Sequence, residues 1–135
     1  MELKGADMSG SILVETLLTN AESDAANLED ANLTRANLVG ASLKNANMQE
    51  ANLRSSKLMN TDLEGADLSG ANLKSVNLTG SLCVHVDRTA VDLSGAILRA
   101  YRDQYHRSQT DLLETPGAGT PGPGGGDQDR KVPPG

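Results

Sequence analysis

The sequence predicts an all-β protein, a parallel β-helix of about five coils with four sides to each coil, followed by a short helical cap. Three observations lead to this prediction. Small and apolar residues recur with a period of five over residues 1–100, without an insertion or a deletion. Phe and Trp are absent, which excludes a core built from large aromatic side chains. All five prolines lie at or after Pro116, so every backbone amide of the repeats can pair.

The repeating unit begins with a small residue, has Asn or Asp second in most cases, and places Leu third. Clear units begin at Ala26, Ala31, Ala36, Ala66 and Ala71. Across twenty units the third position holds Leu fifteen times, and holds another apolar residue at Met8, Met48 and Cys83. Only Ser23 and Arg88 place a polar residue there. Eighteen matches in one fixed phase identify an internal repeat.

A period of five fits neither an α-helix, which repeats near 3.6 residues, nor a continuous strand, which repeats at two. It fits a short extended side followed by a corner, in which positions one and three point inward and the other three positions face water. Four such sides make a coil of twenty residues, so residues 1–100 give five coils. Adjacent coils would pair through backbone hydrogen bonds at about 4.7–4.9 Å. The small residue at position one leaves room for the Leu.

The tandem units of Ala, then Asp or Asn, then Leu over residues 1–100 resemble the pentapeptide-repeat family. This resemblance implies a right-handed quadrilateral β-helix, and the handedness comes from the resemblance alone. It also implies a choice of functions. The family includes DNA mimics that inhibit topoisomerases, and eukaryotic adaptors that carry the repeats beside a BTB domain. Because fold and function are separable, the resemblance predicts the fold much more narrowly than the function.

The chain after the repeats is predicted to form a cap and a tail. Leu98, Tyr101 and Tyr105 follow one another at spacings of three and four, which predicts an amphipathic helix near residues 98–107 within a helical cap over 101–114. The helix either covers the last coil, which we favour, or joins two copies, so a monomer and a homodimer through this helix both stay open. Gly and Pro supply twelve of the residues in 115–135, which predicts a disordered tail.

The two ends of the repeat are atypical. Met1 is already in register with the repeat. We therefore expect either that the chain is a piece of a longer protein, the favoured interpretation, or that a partner covers its first coil. Ser23 predicts a small cavity or a bulge in the second coil. Arg88 lies in the last coil, where we expect its guanidinium to leave the interior through the open end, because an unpaired charge is costly inside an apolar core.

The residue types that carry catalysis are not arranged for it. His85 is expected to face outward and His106 falls in the predicted cap, so no histidine pair is available. No Gly-rich phosphate loop or metal-ligand spacing occurs, and we expect no enzymatic activity, no cofactor and no metal. The absence of a signal peptide and of an apolar run of about 20 residues predicts a cytoplasmic protein that does not bind membranes.

The repeat also maps charge onto the four faces of the coil, numbered from the unit that begins at residue 1. Face one carries a net charge of −3 and face two a net charge of −5, whereas faces three and four carry +1 and +2. The net charge of the whole chain is −6, which disfavours direct binding to nucleic acid. The candidate protein-binding residues are the acidic residues of faces one and two: Asp7, Glu22, Asp24, Glu29, Asp30, Glu50, Asp62, Glu64, Asp67 and Asp87.

Two functions are compatible with these acidic faces. The favoured hypothesis is a non-enzymatic scaffold that presents flat charged faces to an unidentified protein partner. The alternative is a DNA mimic that binds and inhibits DNA gyrase or another type II topoisomerase. Duplex DNA carries one charge per ~1.7 Å, or roughly fourteen over the length of five coils, whereas faces one and two together carry a net charge of −8. The family's DNA mimics are also usually longer and rich in inward Phe.

Overall fold

The computed structural model describes residues 1–103, and these residues form a stack of coils joined by parallel pairing. The residue at position two of each unit forms a parallel bridge with the residue twenty positions further along. The series runs without interruption from the bridge between Glu2 and Glu22 to the bridge between Asn77 and Ile97. A bridge at every fifth residue, with its partner twenty residues away, describes a coil with four sides.

Two short strands extend the stack beyond residue 100. Strand β1, Leu82–Cys83, pairs in parallel with strand β2, Arg102–Asp103, and Leu82 lies opposite Arg102. Their separation is again twenty residues, so Arg102–Asp103 begin a further coil on face one. No α-helix is present among residues 1–103, and therefore none there is long and apolar enough to cross a membrane.

Backbone hydrogen bonds join each coil to the next in a regular pattern, as the units on face three illustrate. The amide of Leu33 donates to the carbonyl of Asn52 at 2.7 Å, and the amide of Arg35 donates to the carbonyl of Arg54 at 2.9 Å. In the opposite direction, the amide of Asn52 donates to the carbonyl of Ala31 at 2.9 Å. The backbone amides at positions two, three and five therefore hold neighbouring coils together. The amides at positions one and four need hydrogen-bond acceptors within the turns.

A tight turn closes every unit. At the corner after Leu33, for example, the amide of Ala36 donates to the Leu33 carbonyl at 2.9 Å. The residue at position five has a positive φ at all twenty corners from residue 5 to residue 100, between 51° and 74°, and thirteen of these residues are not glycine. A positive φ at the third residue of the turn is the mark of a type II turn. Each non-glycine residue held there costs about 1–2 kcal/mol, which the coil-to-coil bonds and the core must offset.

Burial confirms that positions one and three point inward. Leu33 and Leu53 are fully buried and Leu73 is 2% exposed, and these three residues occupy equivalent positions in successive coils. Ala31 and Ala51, at position one of the same face, are fully buried beside them. The core is thus a set of leucine columns separated by small residues, one column along each face.

The inward residues that are neither Leu nor Met, namely Ser23, Cys83 and Arg88, differ in how the core accommodates them. Ser23 is 2% exposed and keeps its place in the core, and the lone Cys83 is 5% exposed. Arg88 is partly buried. Its Nη1 atom is buried without a hydrogen-bond partner within residues 1–103, and the side chain lines a small apolar cavity with Leu68 and Tyr101.

The helix predicted near residues 98–107 is wrong over residues 98–103. Leu98 is fully buried at position three, Tyr101 is 4% exposed at position one of the next unit, and Arg102 belongs to β2. Position three and the next position one are three residues apart, so the five-residue repeat imitated the spacing of an amphipathic helix. Tyr105, the remainder of the cap predicted over 101–114, and the tail predicted over 115–135 lie outside the described residues.

Replacing Leu53 with Lys should unfold the stack, because Leu53 is fully buried in the middle of its column and a lysine there would bury an unpaired charge. We expect Leu53→Lys to lower the free energy of unfolding by at least about 3 kcal/mol, measured by urea denaturation followed by circular dichroism. Met59→Lys, at an outward position four, is the matched control and should change stability little. Equal stability of the two variants would contradict the inward placement of position three.

Candidate protein-interaction surface

Asn and Asp at position two have a structural function that the sequence alone does not show. In the unit that begins at Ala51, the Oδ1 atom of Asn52 accepts a hydrogen bond from the amide of Arg54 at 3.1 Å. This amide, at position four, has no acceptor in the coil-to-coil bonds or in the turn bonds. Twelve units contain this hydrogen bond, with these acceptors: Asp7, Asn27, Asn32, Asn37, Asn47, Asn52, Asp62, Asp67, Asn72, Asn77, Asp87 and Asp92.

Asn and Asp are therefore preferred at position two because their side chains supply an acceptor for a backbone amide that has no other. A short side chain with an oxygen acceptor can reach the amide two residues ahead, and this local bond is the Asx turn. The signal was visible in the sequence as the recurrence of these two residue types immediately before the inward residue. Only the structure of the turn shows that their side-chain oxygen accepts from the amide two residues further on.

Asp24 performs the same function for the next coil. Position two of the unit above it is Ser42, whose hydroxyl does not accept from the Lys44 amide. The Oδ1 atom of Asp24 accepts from the amide of Lys44 at 3.1 Å, and the Ser42 hydroxyl donates to the same oxygen. A carboxylate from the preceding coil thus replaces the missing acceptor.

These hydrogen bonds divide the ten candidate acidic residues into two groups. Five of them hold a turn amide: Asp7, Asp24, Asp62, Asp67 and Asp87. Of the other five, Glu29, Asp30 and Glu50 lie on face two, and their carboxylates make no hydrogen bond or ion pair within residues 1–103. The carboxylate of Glu50 lies over Gly70, in the space that a Cβ atom at that corner would fill.

Two lysines of face one offset part of its negative charge. Lys4 lies 3.6 Å from Glu22 and 4.0 Å from Glu2, and Lys44 lies 3.6 Å from Asp62. Such exposed pairs contribute little to stability, but they place positive charge directly among the acidic residues of this face. The two acidic faces that the sequence predicted are therefore not equivalent.

Face two has no such compensation within residues 1–103. Its only basic residue, Arg88, is partly buried and has its Nη1 atom in the interior, whereas the face carries six carboxylates. Every coil contributes at least one of them, in the order Asp7, Glu29 with Asp30, Glu50, Asp67 and Asp87. With coils about 4.8 Å apart, these residues form a column of negative charge about 19 Å long. We call these six residues the acidic column.

Hydrogen bonds lower the pKa values of two aspartates of face two, Asp7 and Asp67. The hydroxyl and the amide of Ser9 lower the pKa of Asp7. In Asp67 the amide of Ser69 has the largest effect, and the Ser69 hydroxyl and Gln49 lower the pKa further. The Nε2 atom of Gln49 donates to Asp67 Oδ2 at 2.6 Å, which ties two coils together. On face three, the hydroxyl and amide of Ser94 and the charge of Lys74 lower the pKa of Asp92.

The described residues contain no built site for metal chemistry. Within residues 1–103 there is no group of three or more His, Cys, Asp or Glu side chains placed to hold an ion. Cys83 is buried, and His85 is exposed at a corner. His106 lies outside the described residues. The chemistry that the described surface offers is electrostatic, and it is concentrated on face two.

The hydrogen-bonded aspartates should make folding sensitive to acid. Because the folded-state pKa values of Asp67 and Asp92 are lowered, their contribution to stability is present above the unfolded-state pKa and is lost as the pH falls through the folded-state values. We expect the free energy of unfolding to drop between about pH 5 and pH 2. In Asp67→Asn/Asp92→Asn this drop should be smaller, because asparagine keeps the acceptor and does not titrate.

The matched control for this experiment is Asp30→Asn/Glu64→Gln, which removes the same charge from carboxylates without a hydrogen bond in residues 1–103. It should retain the acid dependence of the wild-type chain. An identical pH profile for both double variants, measured by urea denaturation at each pH, would show that the turn aspartates do not carry the effect.

Comparison with known proteins identifies relatives with the same repeat. Among solved structures, a pentapeptide repeat protein from the thylakoid lumen of Arabidopsis thaliana is 26% identical over 74% of this chain and 66% of its own, with a TM-score of 0.38. Rfr23, a pentapeptide repeat protein from the cyanobacterium Cyanothece 51142, is 29% identical over 65% of this chain and 60% of its own, with a TM-score of 0.41.

QnrB1, a plasmid-mediated fluoroquinolone resistance protein, is 17% identical in a trypsin-treated form, over 74% of this chain and 58% of its own, with a TM-score of 0.43. The present chain thus spans between 58% and 66% of the length of these three proteins. No curated protein matches the sequence.

The family model for pentapeptide repeats matches eight copies, over residues 26–65, 46–82 and 56–99. The fold that this family implies is a right-handed β-helix, and the twenty-residue period of the bridges agrees with it. Because the matched region covers more than half of the 135 residues, the chain belongs to the pentapeptide repeat family.

Proposed function

We propose that this chain is a non-enzymatic protein-binding module, and that the acidic column on face two docks against a basic surface of a partner protein. The observation that carries the proposal is the six carboxylates of face two, with at least one in every coil and Arg88 as the only basic residue of the face. Membership of the pentapeptide repeat family, whose members are generally interaction proteins, supports a role without catalysis.

The rigidity of the face favours binding. The backbone beneath the column is hydrogen-bonded from coil to coil, and Asp7, Asp67 and Asp87 are held by turn amides. Side chains that are already ordered lose little conformational freedom when a partner docks, so less of the interaction energy is spent on ordering. A column of like charge also accelerates encounter with a basic partner, and salt screens this effect over about 8–10 Å.

Charge reversal on face two should abolish binding of the partner protein. We expect Glu29→Lys/Glu50→Lys to abolish capture of a specific protein from an extract of the source cells, measured by affinity purification and mass spectrometry. Both side chains are free of the turn hydrogen bonds, so the fold should be unaffected. The capture by the wild-type chain should also weaken as salt is raised, because the contact is electrostatic.

The matched control is Glu22→Lys/Glu64→Lys, which changes the net charge equally on face one. It should capture the same partner as the wild-type chain. A partner that is lost equally from both double variants would indicate a general dependence on net charge, and a partner retained by both would place the binding surface elsewhere. Either result contradicts the role of the acidic column.

A second candidate function is mimicry of DNA toward DNA gyrase or another type II topoisomerase. The axial arrangement of the acidic column favours it, since duplex DNA also presents negative charge along an axis. The number of charges opposes it, because about 19 Å of duplex carries roughly eleven charges against six carboxylates in the column. We therefore favour a protein-binding module that does not mimic DNA.

A gyrase supercoiling assay separates the two candidates. A DNA mimic should inhibit supercoiling at low micromolar concentration, and Glu29→Lys/Glu50→Lys should relieve the inhibition while Glu22→Lys/Glu64→Lys should not. Full gyrase activity with tens of micromolar of the wild-type chain would eliminate this candidate and leave the first proposal intact.

A further inference from the structure

One unit in the middle of face four, residues 56–60, lacks the turn acceptor that the units before and after it on this face have. Its position two is Lys57, whereas the two neighbouring units have Asn37 and Asn77. Each of these asparagines accepts from the amide two residues ahead, at 3.1 and 3.0 Å. A lysine ammonium can only donate. The equivalent amide, that of Met59, therefore makes no hydrogen bond within the described part of the chain.

The chain compensates for a missing acceptor on face one, but it does not do so here. On face one, the carboxylate of Asp24, at position four of the preceding coil, accepts from the amide of Lys44 at 3.1 Å. The residue in the equivalent place on face four is Val39, which offers no side-chain acceptor, and this face contains no Asp or Glu. The Met59 amide is therefore open to an acceptor from outside the chain.

Two cations of the same coil also have no partner. Arg54 and Lys57 are exposed, and they lie on either side of the corner at Ser55. Neither side chain makes a hydrogen bond or an ion pair within residues 1–103. Four other cations of the coils each have a carboxylate within 3.6 Å: Lys4, Arg35, Lys44 and Lys74. The third coil thus combines two unpaired cations with an open backbone donor, and these are the groups that hold a carboxylate in proteins.

Face four also offers an apolar contact beside these groups. Val39 and Met59 are partly buried at position four of adjacent coils, about 4.8 Å apart along the stack. Thr19 and Thr79 continue this row on either side, so the row is uncharged over four coils. A side chain of a partner can therefore bury apolar area against Val39 and Met59 next to the cations.

We propose that this part of face four binds an acidic segment of a partner protein. A carboxylate of the segment accepts from the Met59 amide, in place of the missing turn acceptor, and pairs with Lys57 and Arg54. An apolar side chain of the same segment packs on Val39 and Met59. The occupant is anionic because the two cations have no counter-charge, and hydrogen bonds that involve an ionised group are about twice as strong as neutral ones.

The net charge of −6 does not prevent an acidic segment from binding at this site. The excess carboxylates lie on faces one and two, whereas face four carries a net charge of +2 and lies opposite the acidic column. Salt at physiological ionic strength screens exposed charges over about 8 Å. The site goes beyond the proposed function, since it lies on a different face and binds the opposite charge, and it fails or holds separately.

The test is a titration of the full 135-residue chain with a short blocked peptide of alternating glutamate and leucine, followed by NMR at physiological salt. We expect the amide resonance of Met59 to shift saturably. The same peptide with glutamine in place of glutamate should bind at least about tenfold more weakly, because it cannot pair with the cations.

Lys57→Asn should raise the dissociation constant of the glutamate peptide by about tenfold or more, because asparagine removes a cation and supplies the turn acceptor from within the chain. The thermal unfolding midpoint of this variant should be no lower than that of the wild-type chain, since Asn37 and Asn77 occupy the same position in the adjacent coils. A loss of binding in this variant is then not a loss of fold.

Lys44→Asn is the matched control, since it removes the same charge from the same coil at a lysine that Asp62 already pairs. It should leave the affinity for the peptide unchanged. A wild-type chain without a saturable shift at Met59 would overturn the proposal. Equal binding of the glutamine peptide, undiminished binding by Lys57→Asn, or an equal loss in Lys44→Asn would overturn it as well.

Discussion

The turn at every fifth residue is the constraint on which the rest of this structure depends. A positive φ at position five, repeated at all twenty corners, bends the chain after each short side and returns it to the same face after twenty residues. From this one conformation follow the inward direction of positions one and three, the hydrogen bonds between coils and the division of the surface into four faces. Corners such as Glu15 and Ser55 hold this conformation without glycine, which shows that the stack as a whole enforces it.

Polar residues in this fold serve two separate purposes. Asn52 and Asp67, at position two, accept hydrogen bonds from the position-four amides of their units, which have no backbone acceptor. These hydrogen bonds are part of the backbone architecture. Glu29 and Glu50, at positions four and five, make no such bond and are free to vary with function. A count of charges per face therefore overstates the recognition surface, because half of the candidate acidic residues also hold a turn.

The ends of the stack differ from its middle for a simple physical reason. A coil with neighbours on both sides has its core covered and its backbone paired, whereas an end coil has one open edge. Arg88 and Tyr101 line a cavity near the C-terminal end of the described stack, and Ile12 and Leu17 lie exposed at the N-terminal end. Residues that break the repeat pattern lie near these two ends, at Ile12, Leu17 and Arg88, and also within the stack, at Ser23.

The sequence by itself determined the period, the inward residues and the grouping of units into faces, because Leu33, Leu53 and Leu73 repeat in a phase that only one arrangement buries. It misassigned Leu98 and Tyr101, since their spacing of three fits both a helix and two successive inward positions. Only the pairing of the residues beside them, Ile97 with Asn77 and Arg102 with Leu82, distinguishes the two. Tertiary structure alone decided which acidic residues are neutralised: Lys44 and Asp62 are eighteen residues apart in the chain and meet because adjacent coils stack. Burial follows from a local pattern, whereas electrostatic neutralisation depends on distances between coils that no local pattern specifies.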